Sequence, residues 1–557
     1  MVKPLEFFTL MVESLRKNYI NNILAFRKPK SPVMKPLLYI LLSVIVLYSC
    51  DRSERTNSTD PQNTAKKVVL IAGEKSHGPG DHEYIKMVRL LKTMLDNANL
   101  EGITTEVHEG GWPEDPSTLE DADLILFTSD GRDGDLFTEV PFMTEERMEV
   151  MERQMARGCG FSVIHFSTFA ADSIGERMLE WGGGYFDWED EKGERNWYSA
   201  IEFLEGTVDF PDSGHSILNG VSPFNLHDEF YYNIRFREED PRLEVIAEVK
   251  ELEGRADRGN AVAWAVERKD GGRGFSTTMG HAHSNWEIDD FRKLILNGIV
   301  WAAGVEVPSE GVDVKYYTDR EVTKHLFDKS SKALILTGNN YPGHPWEETT
   351  PLIKEAIEER SPIHVDVSYN IEDLGQYKLE DYDLLILNYA NWEDPTGLSE
   401  ASKKAFTNYL SGGGGLMVIH FANGAFHYSL PGAEESDWPE YREIVRRVWD
   451  HHSDSEHDNY GKFTVNITSH QHPITSGIDD FETMDELYFN QKGEKPITPL
   501  LSGKSEITGD EEPLAWIYNY GEGKVFQTVL GHDEKSFQSP EFRQILRNAA
   551  MWTGGQL

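Results

Sequence analysis

The chain has 557 residues, of which 39% are hydrophobic and 27% charged, an ordinary globular composition that allows two to four domains at roughly 150 residues each. It carries 95 Asp and Glu against 54 Lys and Arg, and the formal net charge of −41 repels phosphate backbones and argues against nucleic acid as a partner. Because the acidic residues are spread along the chain, they indicate a solvated surface and not an acidic tail.

The first feature along the chain is an apolar run at residues 37–49. It is shorter than the ~20 residues of a transmembrane helix, and it follows Lys35, as the apolar core of a signal peptide does. The run ends in Leu-Tyr-Ser-Cys at residues 47–50, which looks like a bacterial lipoprotein box whose cysteine is acylated. We therefore predict a lipoprotein signal peptide over residues 34–50, with lipid attachment at Cys50. An uncleaved anchor helix is the alternative.

A lipid at this cysteine would hold the protein in the bacterial cell envelope, on its periplasmic side or its outer surface, so the membrane is a predicted partner. Residues 1–33 are a possible upstream extension with no assigned role, and the polar residues 51–65 are predicted to form a flexible tether. Cys159 is the only other cysteine, so we expect no disulfide framework.

The sequence predicts alternating strands and helices from residue 66 onwards. The run 67–73, apolar between Lys67 and Gly73, predicts a buried strand. A second short strand at 124–126 follows an acidic turn, as in a parallel sheet covered on both faces. A third run, 160–164, ends directly before His165. Between the first two strands, apolar residues at helical spacing predict a helix that contains Ile85, Val88, Leu91 and Leu95.

The same order of motifs returns in the second half of the chain. The Val-Ile-His-Phe run at 163–166 reappears at 418–421, and the Asp-Glu-x-Tyr motif at 228–231 reappears at 485–488. These offsets are 418 − 163 = 255 and 485 − 228 = 257 residues, nearly constant and far longer than the period of a solenoid. The sequence therefore predicts a tandem duplication, with a first copy at 66–305, a linker at 306–330 and a second copy at 331–557.

Short connections between alternating strands and helices predict that each copy is an α/β domain on a doubly wound, mostly parallel sheet. Ligands of such folds bind beyond the carboxyl ends of the strands. The loops predicted to lie at that edge are rich in histidine. In the first copy they carry His77, Asp130, His165 and His281, and in the second His344, His420 and His532.

Three imidazoles and a carboxylate at one rim suit a divalent metal with an open position, and they suit general acid–base catalysis equally. Each histidine alone could instead cap a helix, fill a buried turn or close a loop. Glu229 and Glu486, in the repeated Asp-Glu-x-Tyr motif, suit hydrogen bonds to sugar hydroxyls beside a stacking ring, or a structural role towards backbone N–H groups. The His-rich insertion 449–458 suits either a metal or a solvated lid loop. The glycines 412–415 precede a strand, whereas dinucleotide-binding glycines follow one, so they predict a turn and not a nucleotide site.

These motifs resemble the trehalose-utilisation (ThuA-like) family, a branch of the class I glutamine amidotransferase-like fold. The second copy carries TGNNYPGH, LILNY, GGGGLMVIHFANGAF, DELY and VFQTVLGH, and the first carries, more loosely, LIAGEKSHGPGDHEY, GFSVIHFS, HDEFYY and MGHAH. The resemblance implies a flavodoxin-like sheet and a role in carbohydrate metabolism, on oxidised (3-keto) sugars or glycosides. The parent fold places a nucleophilic cysteine at the turn that here carries His165 or His420, so a glutamine amidotransferase mechanism is not expected.

Together these observations predict an envelope-anchored enzyme that acts on a sugar or modified glycoside by acid–base chemistry, with or without a divalent zinc or manganese ion. A non-catalytic carbohydrate-binding or assembly lipoprotein is the alternative. The predicted catalytic residues are His165, His420, Glu229 and Glu486. The predicted substrate-binding residues are His77, Asp130, His344, Asn388 and Tyr488. The predicted metal ligands are His77, His281 and His532.

Overall fold

Both copies fall within one compact unit, residues 63–557. The predicted signal peptide at 34–50 and its Cys50 lie outside the residues that the structure describes. Among the described residues, no helix combines the length and the apolar character needed to cross a membrane. The structure is a computed structural model and describes residues 65–131, 144–187, 197–211, 214–255, 258–313, 315–327, 329–339, 343–392 and 394–557.

The first copy is built around one large mixed sheet. Its strands are β1 (Lys66–Ala72), β2 (Ile103–Glu109), β3 (Leu124–Thr128), β4 (Gly160–Ile164), β5 (Phe169–Ala170), β6 (Gly184–Asp187), β7 (Ala200–Asp209), β8 (Phe224–Tyr232), β9 (Arg235–Phe236), β10 (Leu243–Val249), β11 (Ala261–Glu267) and β12 (Arg273–Thr277). Nine of them form a sheet in the order β2-β1-β3-β4-β12-β11-β10-β7-β8, and β5, β6 and β9 form a small separate sheet. The strands from β2 to β12 run parallel, and those from β11 to β8 continue the sheet antiparallel.

The second copy repeats this sheet strand for strand. Its strands are β13 (Ser331–Gly338), β14 (Ile363–Ser368), β15 (Leu384–Tyr389), β16 (Gly415–Ile419), β17 (Glu456–His457), β18 (Gly461–Ile467), β19 (Phe481–Asp485), β20 (Tyr488–Phe489), β21 (Thr498–Lys504), β22 (Glu511–Tyr520) and β23 (Gly523–Thr528). The order β14-β13-β15-β16-β23-β22-β21-β18-β19 matches that of the first sheet position by position. The predicted fold class and the duplication are confirmed, and the antiparallel half of each sheet is an addition to the prediction.

Helices cover both faces of the parallel strands. They are α1 (Tyr84–Asn97), α2 (Glu145–Ala156), α3 (Asp172–Trp181), α4 (Asp289–Ala302), α5 (Asp319–Leu326), α6 (Trp346–Glu358), α7 (Glu400–Ser411), α8 (Pro439–Ile444) and α9 (Pro540–Thr553). Successive side chains of a strand point to opposite faces, so Leu70 of β1 packs in one core with α1 and α4, whereas Ile71 packs in another with α2 and α3. The predicted helix residues Ile85, Val88, Leu91 and Leu95 are all buried on α1.

Two connections also bear on the predictions. Helix α7 ends at Ser411, and Gly413, with a φ of 106°, turns the chain into β16, as predicted for the glycine run. The predicted linker, 306–330, is not wholly irregular, because it contains helix α5. A reciprocal capping box between Thr318 and Glu321 begins this helix, and Val322 packs on the core of the first copy.

Ion pairs join the two copies beside the first histidine loop. The Lys75 Nζ lies 2.7 Å from carboxylate oxygens of both Glu83, in its own copy, and Glu355, on helix α6 of the other. Arg543 of α9 holds the second oxygen of Glu355 at 2.6 Å. The side chains of Lys75 and Glu355 are 10% and 8% exposed, so this is a largely desolvated network.

Candidate functional site

His165 and His420 stand at the carboxyl ends of β4 and β16, where the chain turns sharply into a short 3₁₀ helix. Their φ angles of 52° and 45° lie in the left-handed region, which costs a residue with a Cβ atom roughly 1 kcal/mol or more. The Nδ1 of His165 donates to the Thr278 carbonyl at 2.7 Å, and that of His420 donates to the Val529 carbonyl at 2.6 Å. Since a carbonyl only accepts, each Nε2 presents a lone pair to the site.

In the first copy, three imidazole nitrogens and a carboxylate converge at this turn. His82 Nε2 lies 3.0 Å from His165 Nε2 and 3.0 Å from His281 Nδ1, which is itself 3.3 Å from His165 Nε2. An oxygen of Glu229 lies 3.3 Å from His281 Nδ1 and 3.7 Å from His165 Nε2. The Tyr231 hydroxyl is 2.9 Å from His165 Nε2. We call His82, His165, Glu229 and His281 cluster 1.

The second copy assembles the same set from the same elements. We call His344, His420, Glu486 and His532 cluster 2, whose ligand atoms all lie within 4.8 Å of one another. The His532 Nδ1 is 3.2 Å from a Glu486 oxygen. The Tyr488 hydroxyl lies 3.0 Å from His420 Nε2 and 3.4 Å from His344 Nε2, so it takes the place of Tyr231.

The spacing within cluster 1 matches that of ligands around one small ion. A tetrahedral zinc ion with ligand bonds of about 2.0–2.1 Å holds its ligand atoms about 3.3–3.4 Å apart. The three imidazole nitrogens of cluster 1 lie 3.0, 3.0 and 3.3 Å apart, close to that value, and the Glu229 oxygen stands beside them, 3.3 and 3.7 Å from two of these nitrogens. Unprotonated nitrogens that face each other at this distance repel, unless a proton or a cation lies between them.

Burial divides the histidines into two kinds. It lowers the pKa of His82, His165 and His344, and it lowers that of His420 to about 3, so these rings are neutral at pH 7. Burial also acts to lower the pKa of His281, but the adjoining Glu229 carboxylate outweighs it and the pKa is raised. The same balance, with Glu486 as partner, raises the pKa of His532. Each cluster thus combines two neutral imidazoles with one histidine–glutamate pair.

The two carboxylates of the repeated Asp-Glu motif have different environments. Asp228 is buried and accepts hydrogen bonds from the backbone N–H groups of Gly280, at 2.7 Å, and His281, at 3.1 Å. Burial raises its pKa to about 7. Asp485 binds the N–H of Gly531 in the same way, at 2.8 Å. The aspartate therefore fixes the loop that carries the last histidine, and only the glutamate faces the cluster.

His77, which we predicted as a metal ligand with His281, does not join cluster 1. It is exposed, and its ring centroid lies 3.7 Å from that of His82, with the two rings tilted by 40°. These two histidines and Asp130 form a separate group. His82 takes the position that His344 has in the second copy. In both copies, this histidine lies two residues before the start of a helix, and its carbonyl accepts the first helical N–H, at 2.8 and 2.9 Å.

The remaining predicted residues lie around these clusters. Asp130 accepts hydrogen bonds from Ser76, at 2.5 Å, and from Tyr84, at 2.6 Å, and the Tyr84 hydroxyl contacts His82 Nδ1 at 2.8 Å. Asn388, at the end of β15, lines a small pocket together with His344, His420 and His532. Its amide nitrogen donates to Thr349 and Thr350 of α6, both at 3.0 Å.

Two other sequence features stay outside the clusters. In the insertion 449–458, His457 approaches Glu486 at 3.6 Å, but among the described residues no group of three or more convergent ligand atoms includes a histidine of this insertion. Cys159 lies buried before β4, away from the turn, and burial raises the pKa of its thiol to about 12. A thiol in this state is not an activated nucleophile.

The comparisons with known proteins agree with the duplication. The family model for trehalose utilisation (ThuA) matches residues 68–302 and, again, residues 332–553. A ThuA-like protein from Parabacteroides merdae is similar in structure, with 22% identity and a TM-score of 0.35, over 41% of this chain and 91% of that one. A ThuA-like protein from Bacteroides uniformis has 18% identity and a TM-score of 0.32, over 41% and 93%.

A beta-galactosidase from Rahnella sp. R3 matches at 14% identity and a TM-score of 0.29, over 47% of this chain and 34% of that one. Comparison with curated protein sequences gave no match.

Proposed function

The chain belongs to the trehalose-utilisation (ThuA) family over both of its copies, and from this premise we propose that it is an enzyme that acts on a sugar or a modified (keto-)glycoside. We assign its chemistry to clusters 1 and 2, each holding one divalent ion, zinc or manganese. The observation that carries this proposal is the convergence of three imidazole nitrogens and a carboxylate at the carboxyl edge of a parallel sheet, twice in one chain.

The donor set fits such an ion. Neutral imidazoles suit zinc, and three protein ligands with an open position are typical of catalytic zinc sites. The carbonyl that accepts from each strand-end histidine is the outer-shell contact that orients a metal-binding imidazole. We therefore assign His165 and His420, first predicted as acid–base groups, to holding the ion, because buried rings with strongly lowered pKa values are poor proton carriers at pH 7.

A divalent ion in these sites would supply a Lewis acid for a substrate oxygen or a more acidic bound water. The proton acceptor is the glutamate of each cluster. Burial acts to raise the pKa of Glu229, but His281 outweighs it and lowers the pKa, so the carboxylate is ionised at neutral pH. Its side chain is 26% exposed, whereas that of His165 is 0% exposed, so a substrate reaches Glu229 more easily than this ring. Glu486 has the same role in cluster 2.

A screen of sugars, glycosides and 3-keto-glycosides, with products identified by mass, tests this function. We expect the wild type to convert at least one compound, and the double variant Glu229→Gln, Glu486→Gln to be at least about 100-fold slower. Glu482→Gln changes an exposed glutamate on the same strand that leads to Glu486 and is the matched control, with unchanged rate. A wild type that binds sugar without converting it would favour the non-catalytic alternative, and a fully active double variant would contradict the assignment of the glutamates.

We also propose that the protein is held in the bacterial envelope by a lipid on Cys50. Support comes from the signal-like run and the Leu-Tyr-Ser-Cys pattern at residues 47–50. Cells grown with labelled fatty acid should label the wild type and leave Cys50→Ala unlabelled and released from the membrane fraction. An unlabelled wild type would contradict the anchor without bearing on the clusters.

A further inference from the structure

An aromatic ring borders each cluster at the same position of the antiparallel strands. Phe203 on β7 pairs across the sheet with Glu229 on β8. In the second copy, Gly461 on β18 pairs with Asp485 on β19, so Tyr460, one residue earlier, is the counterpart of Phe203. Aromatic character is thus present at this register position in both copies.

Both rings contact the last histidine of their cluster. The ring centroids of Phe203 and His281 are 5.8 Å apart and nearly perpendicular, and those of Tyr460 and His532 are 5.3 Å apart. Phe203 is 54% exposed, an arrangement that leaves much of a large apolar side chain in water. A residue of this kind beside a polar cluster suits a ligand that has both an apolar face and hydroxyl groups.

Resting on the proposed function, we propose that Phe203 and Tyr460 are stacking platforms for the apolar face of a pyranose ring. A pyranose lies with its C–H groups against an aromatic face, and its hydroxyls then extend sideways. From Phe203, the neighbouring polar groups are Glu229, across the strand pair, and His281. The platform therefore selects cyclic sugars with one face free of axial hydroxyls. Its removal should change the affinity for sugar and leave the binding of the ion unchanged.

The two platforms differ in how they are held. The Tyr460 hydroxyl donates to Asp533 at 2.7 Å, and the Lys535 ammonium lies 5.7 Å from the ring centroid. Phe203 has no hydroxyl to fix it, and it packs against the ring of the exposed His227 at 4.6 Å. The second copy therefore offers the more preorganised surface, and we expect it to bind sugar more tightly.

Binding of neutral mono- and disaccharides, trehalose among them, to the full chain tests the platforms by calorimetry, with sorbitol as the acyclic control. We expect Phe203→Ala and Tyr460→Ala each to weaken sugar binding at their own copy roughly tenfold, Phe203→Trp to restore it, and metal content to stay unchanged. Ile201→Ala is the matched control, because Ile201 is another exposed apolar residue of β7, 42% exposed, two positions from Phe203. It should bind as the wild type does.

Unchanged sugar affinity in both alanine variants, an equal loss in Ile201→Ala, or a wild type that binds no cyclic sugar in preference to sorbitol would overturn the platforms. The proposed function fails separately. Sugar that stacks on the platforms but is never converted would leave the inference standing and remove the enzyme. Turnover whose Michaelis constant is the same in the wild type and in both alanine variants would leave the enzyme standing and remove the platforms.

Discussion

Replacing Glu355 with glutamine tests whether the second copy braces the first histidine loop. Glu355 accepts hydrogen bonds from Lys75 and Arg543, at 2.7 and 2.6 Å, and Lys75 also holds Glu83, the residue next to His82. A hydrogen bond to a charged group contributes about 1.5–3 kcal/mol. Glutamine keeps the shape of the side chain and one acceptor oxygen but loses the negative charge. Lys75 and Arg543 each still have one other carboxylate partner. We therefore expect the free energy of unfolding to fall by about 2 kcal/mol.

Urea unfolding of the purified chain measures this change, and a double-mutant cycle with Lys75→Met isolates the contact between the copies. We expect a coupling energy of about 1–2 kcal/mol, and a several-fold weaker metal affinity at cluster 1 while that of cluster 2 is unchanged. Glu348→Gln, on the exposed face of the same helix, should stay within about 0.5 kcal/mol of the wild type. A coupling energy near zero would refute the reasoning, because Lys75 and Glu355 would then make no stabilising contact across the copies in solution.

Three further predictions concern the first cluster, acid stability and core packing. His82→Ala should remove one bound metal ion per chain, whereas His77→Ala should retain it, as metal analysis will show; the opposite result would return His77 to the ligand set. Burial acts to raise the pKa of Glu358, but neighbouring histidine and lysine groups outweigh it and lower the pKa to about 2. Because this pKa lies below the unfolded value of 4.5, the ionised Glu358 stabilises the fold fully above pH 4.5. This stabilisation, on the order of 3 kcal/mol, is lost as the pH falls from 4.5 to 2. In acid unfolding, Glu358→Gln should not show that loss. Gly298→Ala would bring a Cβ into collision with the Phe275 ring, and the overpacking should cost about 1–3 kcal/mol and lower the melting temperature. An unchanged melting temperature would show that the helix can shift.

The sequence predicts those parts of the site that rest on repeated motifs at a constant offset. The turn that carries His165 and His420 follows a continuous apolar strand, so its place at the sheet edge is determined by chain order alone. His281 shares this edge because it follows β12, the strand that pairs with β4. Glu229 comes from β8, at the far end of the sheet, and its neighbour Asp228 holds that strand against the loop at Gly280. Local patterns therefore suffice where a residue directly ends a strand.

Local sequence patterns do not suffice for His82, because the first loop carries two histidines five residues apart and differs in length from the loop before His344. The distinguishing signal is the distance to the helix: only His82, like His344, lies two residues before its first turn. Nor does the motif separate Asp228 from Glu229. Alternation along β8 sends neighbouring side chains to opposite faces, and only the completed sheet shows which face meets the loop at Gly280.

The framework of the two copies is duplicated more faithfully than the surroundings of their clusters. The strand register that aligns β3 with β15 places Ala390 where the first copy has Asp130, so the second copy lacks that carboxylate beside its cluster. The two aromatic residues differ as well, because the Tyr460 hydroxyl donates to Asp533 and Phe203 has no hydroxyl. We expect the copies to share an ion-binding framework and to differ in substrate preference.

The metal content of the purified chain, measured by mass spectrometry after incubation with zinc or manganese and removal of free ions, tests the central claim most directly. The account predicts two ions per chain in the wild type, one in His165→Ala, one in His420→Ala and none in the double variant. The exposed His457→Ala, outside both clusters, should retain two. A wild type without stoichiometric metal, or a double variant that binds as much as the wild type, would contradict it.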